Sequence, residues 1–233
     1  NPIGMFSLNF QWEKLWAMVK PFMNEDQMAK LNSDLEKTGL KFDELMSLFN
    51  GKLAFAYNGQ MPDGATPKIG FYVGLTDPAK IEGILPADKV KKDEAGIYSG
   101  DGVNMVFGDD YMLINTDKDF ISAVAGGTMG EVNLGDQANI LNSPINYYVD
   151  FNALMSNEMV KAAISQGSPE AVAAISNLEK AYGHGTANKF EYVFETKDKS
   201  SNILVQIIDA ITKFANAQNE EMAMQMEEIE KEF

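Results

Sequence analysis

The chain has 233 residues, 45% of them hydrophobic, a formal net charge of −15, no cysteine, and lysine as the whole of its basic complement of 19. That balance argues against nucleic acids and anionic membrane surfaces, which call for basic patches, and it excludes disulfide and thiolate chemistry. No apolar run approaches the roughly 18–20 residues that cross a bilayer as a helix, and the opening Asn1-Pro2 reads as a processed chain or a fragment.

Residues 3–9 alternate as a strand, after which Trp12, Leu15, Trp16 and Val19 recur at helical spacing, placing both tryptophans on one buried face until Pro21 stops the helix. Asn24 with Gln27 predicts a reciprocal cap on a helix that turns Met28, Leu31 and Leu35 inward, with Gly39 just past its end. Phe42, Leu45, Met46 and Phe49 predict a short helix closed by Asn50-Gly51. Leu53, Phe55 and Tyr57 form a strand, and the turn chemistry of residues 58–67 makes a hairpin with a long tip.

The return strand, residues 69–75, runs into a polar cap at Thr76 and Asp77 and a helix from Pro78 with Ile81, Ile84 and Leu85 as its apolar stripe. Residues 87–96 read as a solvated connection. Residues 97–99, 103–107 and 111–115 form an antiparallel meander, followed by a second cap at Thr116 and Asp117 and a helix with Ile121 and Val124. Residues 126–137, rich in glycine, read as a mobile loop or boundary. A strand over residues 145–151 precedes a helix carrying Leu154, Met155, Met159, Val160 and Ile164, and Ser168-Pro169 opens another with Val172, Ile175 and Leu178 facing the core. Gly183-His184-Gly185 turns the chain into a strand over residues 189–196. A long C-terminal helix follows, with Leu204, Ile207, Ile208, Ile211 and Phe214 in one stripe and glutamates crowding its last turns, where they oppose the helix dipole.

The unit of strand, polar cap and helix recurs. Thr76-Asp77 and Thr116-Asp117 stand forty residues apart, and FSLNFQWEKL from Phe6 echoes YYVDFNALMS from Tyr147. Those echoes predict an α+β fold of repeated strand-cap-helix units, residues 1–143 and 144–233, packed as one compact unit. Its antiparallel strands lie in one or two sheets, its helices pack on one face, and the long C-terminal helix crosses the sheet. Capping chemistry alone also produces such echoes.

No reaction centre is legible. His184 is the sole histidine and no Gly-x-Ser-x-Gly elbow serves it, so flanked by glycines it reads as a surface turn residue. Gly51-Lys52 continues into Leu53, not into a phosphate loop. One histidine and no cysteine give no metal site, and no cofactor motif is present. Asp93, Glu94, Asp101, Asp109 and Asp110 surround the meander, where paired carboxylates would serve a glycosidase or a cation, although turns contain such residues anyway. Met222, Met224, Met226, Ile229 and Phe233 near the end offer an adaptable surface to a protein partner.

FSLNFQWEKLWAMV, LFNGKLAFAYNG leading into KIGFYVGLTDPAKIEGIL, the hairpin around GDDYMLINTD, and YYVDFNALM followed by TKDKSSNILVQIIDAI resemble an uncharacterised lipoprotein family of Bacteroidota, a domain of unknown function. The resemblance covers nearly the whole chain, as the C-terminal half of a member. It implies an exported protein of the Gram-negative cell envelope, in the outer membrane or periplasm, tethered only through a lipid on an upstream cysteine. It carries over no catalytic residue. The reading is therefore a non-enzymatic envelope component that binds or assembles with another envelope protein. The alternative is a carboxylate-based hydrolase acting on glycan or peptide.

Overall fold

The computed structural model describes residues 2–35, 39–61, 64, 66–128, 134, 141–165, 175–186, 188–200, 202, 204–206, 208, 209, 212 and 216. They form a mixed helix and strand protein with a ten-stranded antiparallel sheet. The chain divides into two compact units, Asn1–Tyr147 with His184–Phe190, and Tyr148–Gly183 with Glu191–Phe233.

In the first unit, β1 (Gly4–Asn9) leads into α1 (Trp12–Val19) and a 3-10 turn at Lys20–Phe22, where Pro21 ends the helix. Helix α2 (Glu25–Leu35) starts from the reciprocal cap expected of it, Asn24 N donating to Gln27 Oε1 at 3.0 Å and Gln27 N to Asn24 Oδ1 at 2.8 Å. Then come α3 (Phe42–Ser47), the hairpin strands β2 (Phe49–Gln60) and β3 (Pro67–Leu75), and α4 (Pro78–Gly83). Strands β4 (Lys91–Lys92), β5 (Tyr98–Gly100), β6 (Val103–Phe107) and β7 (Tyr111–Asn115) precede α5 (Lys118–Ala125). The strand order is β1-β2-β3-β7-β6-β5-β4. Strand β4 lies inside the segment read from the sequence as a bare connection. Two lysines carry no periodicity that could announce a strand.

Residues opposite one another in an antiparallel pair share a face. The register Leu53↔Val73↔Met112↔Phe107 therefore puts those four side chains on one face, and Val106↔Leu113 on the other. Leu40, Leu48, Leu75 and Ile81 build a core over the first face with Leu45, Val73, Phe107 and Met112, while Ile97, Val106 and Ile121 build a second with Leu113, Phe120 and Val124. Helices thus cover both faces, not one. The reason is visible in β6 and β7, whose near-continuous apolar runs suit strands covered on both sides.

Asp77 and Asp117 cap as expected. Asp77 Oδ1 accepts from Lys80 N at 3.1 Å, and Asp117 Oδ1 accepts from Asp119 N at 3.0 Å and Phe120 N at 3.4 Å. The threonines beside them do different work. Thr76 Oγ1 donates to Ser47 O at 2.9 Å, and Thr116 Oγ1 donates to Pro67 O at 2.7 Å while accepting from Ile69 N at 3.0 Å, stitching strand ends together. Burial works to raise the Asp117 pKa, but the Lys68 ammonium 2.9 Å away and the amide donors outweigh it and hold the carboxyl below its usual range. Its stabilisation is present above the unfolded carboxyl pKa of about 4 and is lost as pH falls through the depressed folded value. Asp117→Asn keeps an acceptor for the cap but loses the ion pair. It is expected to cost about 1 kcal/mol in urea unfolding at pH 7, with the gap to the parent closing on acidification. A gap unchanged at pH 2 would contradict this role.

Later in the chain, across the unit boundaries at Tyr147 and Gly183, β8 (Ile145–Asp150) passes through the Asp150 cap, which accepts from Ala153 N at 2.9 Å, into α6 (Phe151–Met155). Helix α7 (Glu158–Ser165) is separate, because Asn157 Oδ1 accepts from Val160 N at 3.2 Å and restarts the chain where one helix was expected. Strand β9 (Leu178–Gly185) takes Leu178, expected to be helical, and the Gly183-His184-Gly185 expected to be a turn. Asn177 is the pin: its carbonyl accepts from Lys197 N at 2.8 Å and its Oδ1 from Asp198 N at 3.3 Å, fixing an extended start for β9. The turn itself falls one step later, closed by Thr186 N donating to Lys189 O at 2.8 Å ahead of β10 (Phe190–Thr196). Most of residues 126–137 and of the C-terminal stripe, with Met222, Met224, Met226, Ile229 and Phe233, lie outside the described residues.

Candidate binding site

The site begins at Gly51. Its φ of +89° is open to glycine, and an added Cβ would collide with the Phe10 carbonyl. Phe10 N donates to Gly51 O at 3.1 Å, and the β2–β3 register shifts between Phe49 and Leu53. This bulge draws the end of β1 onto the start of β2. Asn50-Gly51, expected to close a helix, therefore lies inside a strand.

The close approach assembles an aromatic cluster. Trp12, at the first turn of α1, stands 5.3 Å from the Phe10 ring and 6.2 Å from Phe49, the latter edge-on. Phe10, Trp12, Met46, Phe49, Gly51, Lys52 and Leu53 line a hollow of about 220 Å³. Trp12 and Met46 also wall a second hollow of about 280 Å³, shared with Trp16, Lys20 and Asp43 among others. Both tryptophans are half-buried, and α1 contains no fully buried residue; Leu15 and Val19 are exposed, with Met18 at 62% and Phe22 at 86%. The stripe read as a core face is not buried: Trp12 and Trp16 border the two hollows, and Leu15 and Val19 are exposed.

The two indoles differ in chemistry. Trp16 Nε1 donates to Asp43 Oδ1 at 2.8 Å, while Lys20 Nζ donates to Asp43 Oδ2 at 2.6 Å; Lys20 first and then Trp16 hold the Asp43 carboxyl below its usual range. Trp12 Nε1 is shielded from solvent and has no hydrogen-bond partner among the described residues. An unmatched buried donor costs about 1–3 kcal/mol. The hollow that Trp12 borders is walled mostly by aromatic and aliphatic side chains and suits a neutral molecule with an apolar body.

A different hollow, of about 300 Å³, lies near Glu82, Lys92, Gly96, Tyr98, Phe107 and Tyr111. Lys92 Nζ donates to Glu82 Oε1 at 2.7 Å and stands 4.9 Å over the Tyr98 ring, and Tyr98 OH also donates to Glu82. Lys92 first, then Tyr98, hold the Glu82 carboxyl below its usual range, so it is anionic and poorly suited to donate a proton. Among the described residues it is the sole carboxylate on that wall.

Three of the acids singled out around the meander, Asp93, Asp101 and Asp110, have separate local roles. Asp93 accepts from Ala95 N and Ile97 N, each at 3.0 Å, and its carboxyl is lowered first by the Ile97 amide. Asp101, with φ +49°, and Gly102, with φ +78°, make the two-residue turn between β5 and β6. Asp110 pairs with Lys52 at 3.4 Å. Among the described residues, no three of His, Asp or Glu are grouped to hold a metal ion. His184 lies on β9, not in a surface turn, with Nδ1 shielded from solvent and no partner among the described residues.

No protein-family model matches the chain, and no curated protein matches it. Among solved structures it is similar to TP0453, a Treponema protein. Crystal form III of that protein gives a TM-score of 0.50 at 9% sequence identity, over 91% of this chain and 83% of the other. Crystal form IV gives 0.47 at 7% identity, over 83% and 76%. The likeness to form III is one of fold.

Proposed function

We propose that this protein is a non-enzymatic component of the cell envelope that works by binding, with the Trp12 hollow as a ligand site. The observation that carries the reading is the apolar, aromatic hollow walled by Phe10, Trp12, Met46 and Phe49. A ligand that fills it buries apolar surface of its own and of those side chains together. The envelope placement rests on the resemblance to Bacteroidota lipoproteins, and the tether is a lipid upstream of this chain. The reading keeps the repeated strand-cap-helix plan, supported by aspartate caps at Asp77, Asp117 and Asp150. It also keeps the long C-terminal helix, with Met222, Met224, Met226, Ile229 and Phe233 as contacts for an envelope protein. The hydrolase alternative needs two nearby carboxylates in one hollow, one of them able to give a proton; among the described residues the Glu82 wall has one and the Phe10–Trp12 wall none, and in the Trp16 hollow, which Glu13 and Asp43 both line, Lys20 and Trp16 hold the Asp43 carboxyl below its usual range.

The test is a fluorescence titration with prodan, a neutral naphthyl ketone. The parent protein is expected to shift its emission to the blue and saturate. Met46→Lys, which places a charge in the wall shared by both hollows, is expected to weaken the dissociation constant at least tenfold, about 1.4 kcal/mol, with the far-UV circular dichroism unchanged. Unsaturable binding, or equal binding by folded parent and variant, would remove the hollow from the account.

A further inference from the structure

The hollow beside Glu82 has a chemistry of its own. It lies within the first unit, where the ends of α4, α5 and β6 meet the starts of β5 and β7. Its volume of about 300 Å³ is that of a small-molecule site. Strand pairing builds its polar wall. Lys92 stands opposite Tyr98 in the β4–β5 ladder, and opposite residues share a face, so the ammonium comes to rest 4.9 Å over the phenol ring. Phe107 meets that ring edge-on at 5.6 Å, and Tyr111 adds a third ring, stacked on Tyr72 at 5.3 Å.

The hydrogen-bonding capacity of this wall is only partly used. Glu82 takes the Lys92 ammonium and the Tyr98 hydroxyl both at Oε1, so among the described residues Oε2 keeps its lone pairs free. Lys92 spends one of its ammonium hydrogens on Glu82, and the Tyr98 oxygen, having donated, still accepts. The Glu82 and Lys92 side chains are 33% and 51% exposed, so a ligand reaches both. Charge then selects the ligand class. An anion meets the Glu82 carboxylate and a cation meets the Lys92 ammonium, each already paired with the other. A neutral molecule with hydroxyls on adjacent carbons suits both, because one hydroxyl donates to Oε2 while its neighbour accepts from Nζ. Aromatic rings, negative on their faces, favour the polarised C–H groups of such a molecule.

We propose that this hollow binds a neutral polyol, one pyranose unit of a sugar, with adjacent hydroxyls held by Glu82 and Lys92. Among the described residues it shares none of its lining with the Trp12 hollow, and it stands independently of it. The test is calorimetric titration of the full chain. The probes are free glucose, galactose, mannose and N-acetylglucosamine, which stand for a soluble sugar, and their methyl pyranosides, which stand for the end unit of a glycan; whichever set binds more tightly identifies the source. At least one probe is expected to bind saturably and at least tenfold more tightly than tetrahydropyran-2-methanol, which keeps the ring but has no adjacent pair of hydroxyls. Glu82→Ala is expected to weaken that binding at least tenfold with the far-UV circular dichroism unchanged, while Met46→Lys, in the other hollow, binds the sugar as the parent does. Absence of saturable binding by every probe, equal binding of tetrahydropyran-2-methanol, unchanged binding in folded Glu82→Ala, or binding lost in folded Met46→Lys would each overturn the proposal.

Discussion

Ile121→Ala is expected to lower the unfolding free energy by about 2–5 kcal/mol. The side chain is fully buried, at 0% exposure, between Ile97 and Val106, with Leu113, Phe120 and Val124 around it. Truncation removes its transfer free energy and leaves a cavity that strands β6 and β7, held in register by their ladder, cannot readily close. Val19→Ala, at a position 40% exposed on α1, is the comparison and is expected to stay within about 0.5 kcal/mol of the parent. Urea unfolding of both variants measures the difference. Equal small losses would mean that α5 does not form a core with the meander.

Gly51→Ala is the second large effect. A left-handed backbone alone costs a non-glycine residue about 1–2 kcal/mol. At Gly51 the added Cβ would also strike the backbone carbonyl of Phe10, which can move only by breaking the β1–β2 junction. The expected loss is about 3 kcal/mol or more. Gly39→Ala separates the two contributions, because Gly39 has φ +71° but nothing within 4 Å of the added carbon. Its loss is expected to stay near 1 kcal/mol. If the two variants lost the same amount, the close approach that builds the hollow would be absent in solution.

The local rules were readable and the tertiary ones were not. Strand β3, the Asp77 and Asp117 caps, the Asn24–Gln27 cap and the meander announce themselves through alternation and side-chain acceptors acting over three or four residues. Which face α5 covers depends on β6 and β7 pairing with each other, and two apolar phases in one strand give no preference between faces. Leu178 reads as helical from its neighbours, yet Asn177 is tied to Lys197 and Asp198 some twenty residues away, and the extended start wins. The hollow was partly signalled by Phe10, Trp12 and Trp16 in sequence with a later Phe49-Asn50-Gly51. Helical spacing made the tryptophans look like core, because periodicity reports that a face is apolar and not what covers it.

Binding in the hollow that Trp12 borders is tested most directly through the two indole N–H signals in a nitrogen–proton correlation spectrum, recorded while prodan is added and assigned with Trp12→Phe. Trp16 already donates to Asp43, so its signal is expected to hold nearly still. The Trp12 signal, from a ring that borders the hollow, is expected to move and to saturate along the same curve as the fluorescence. A Trp12 signal that stays in place while prodan binds would contradict the account.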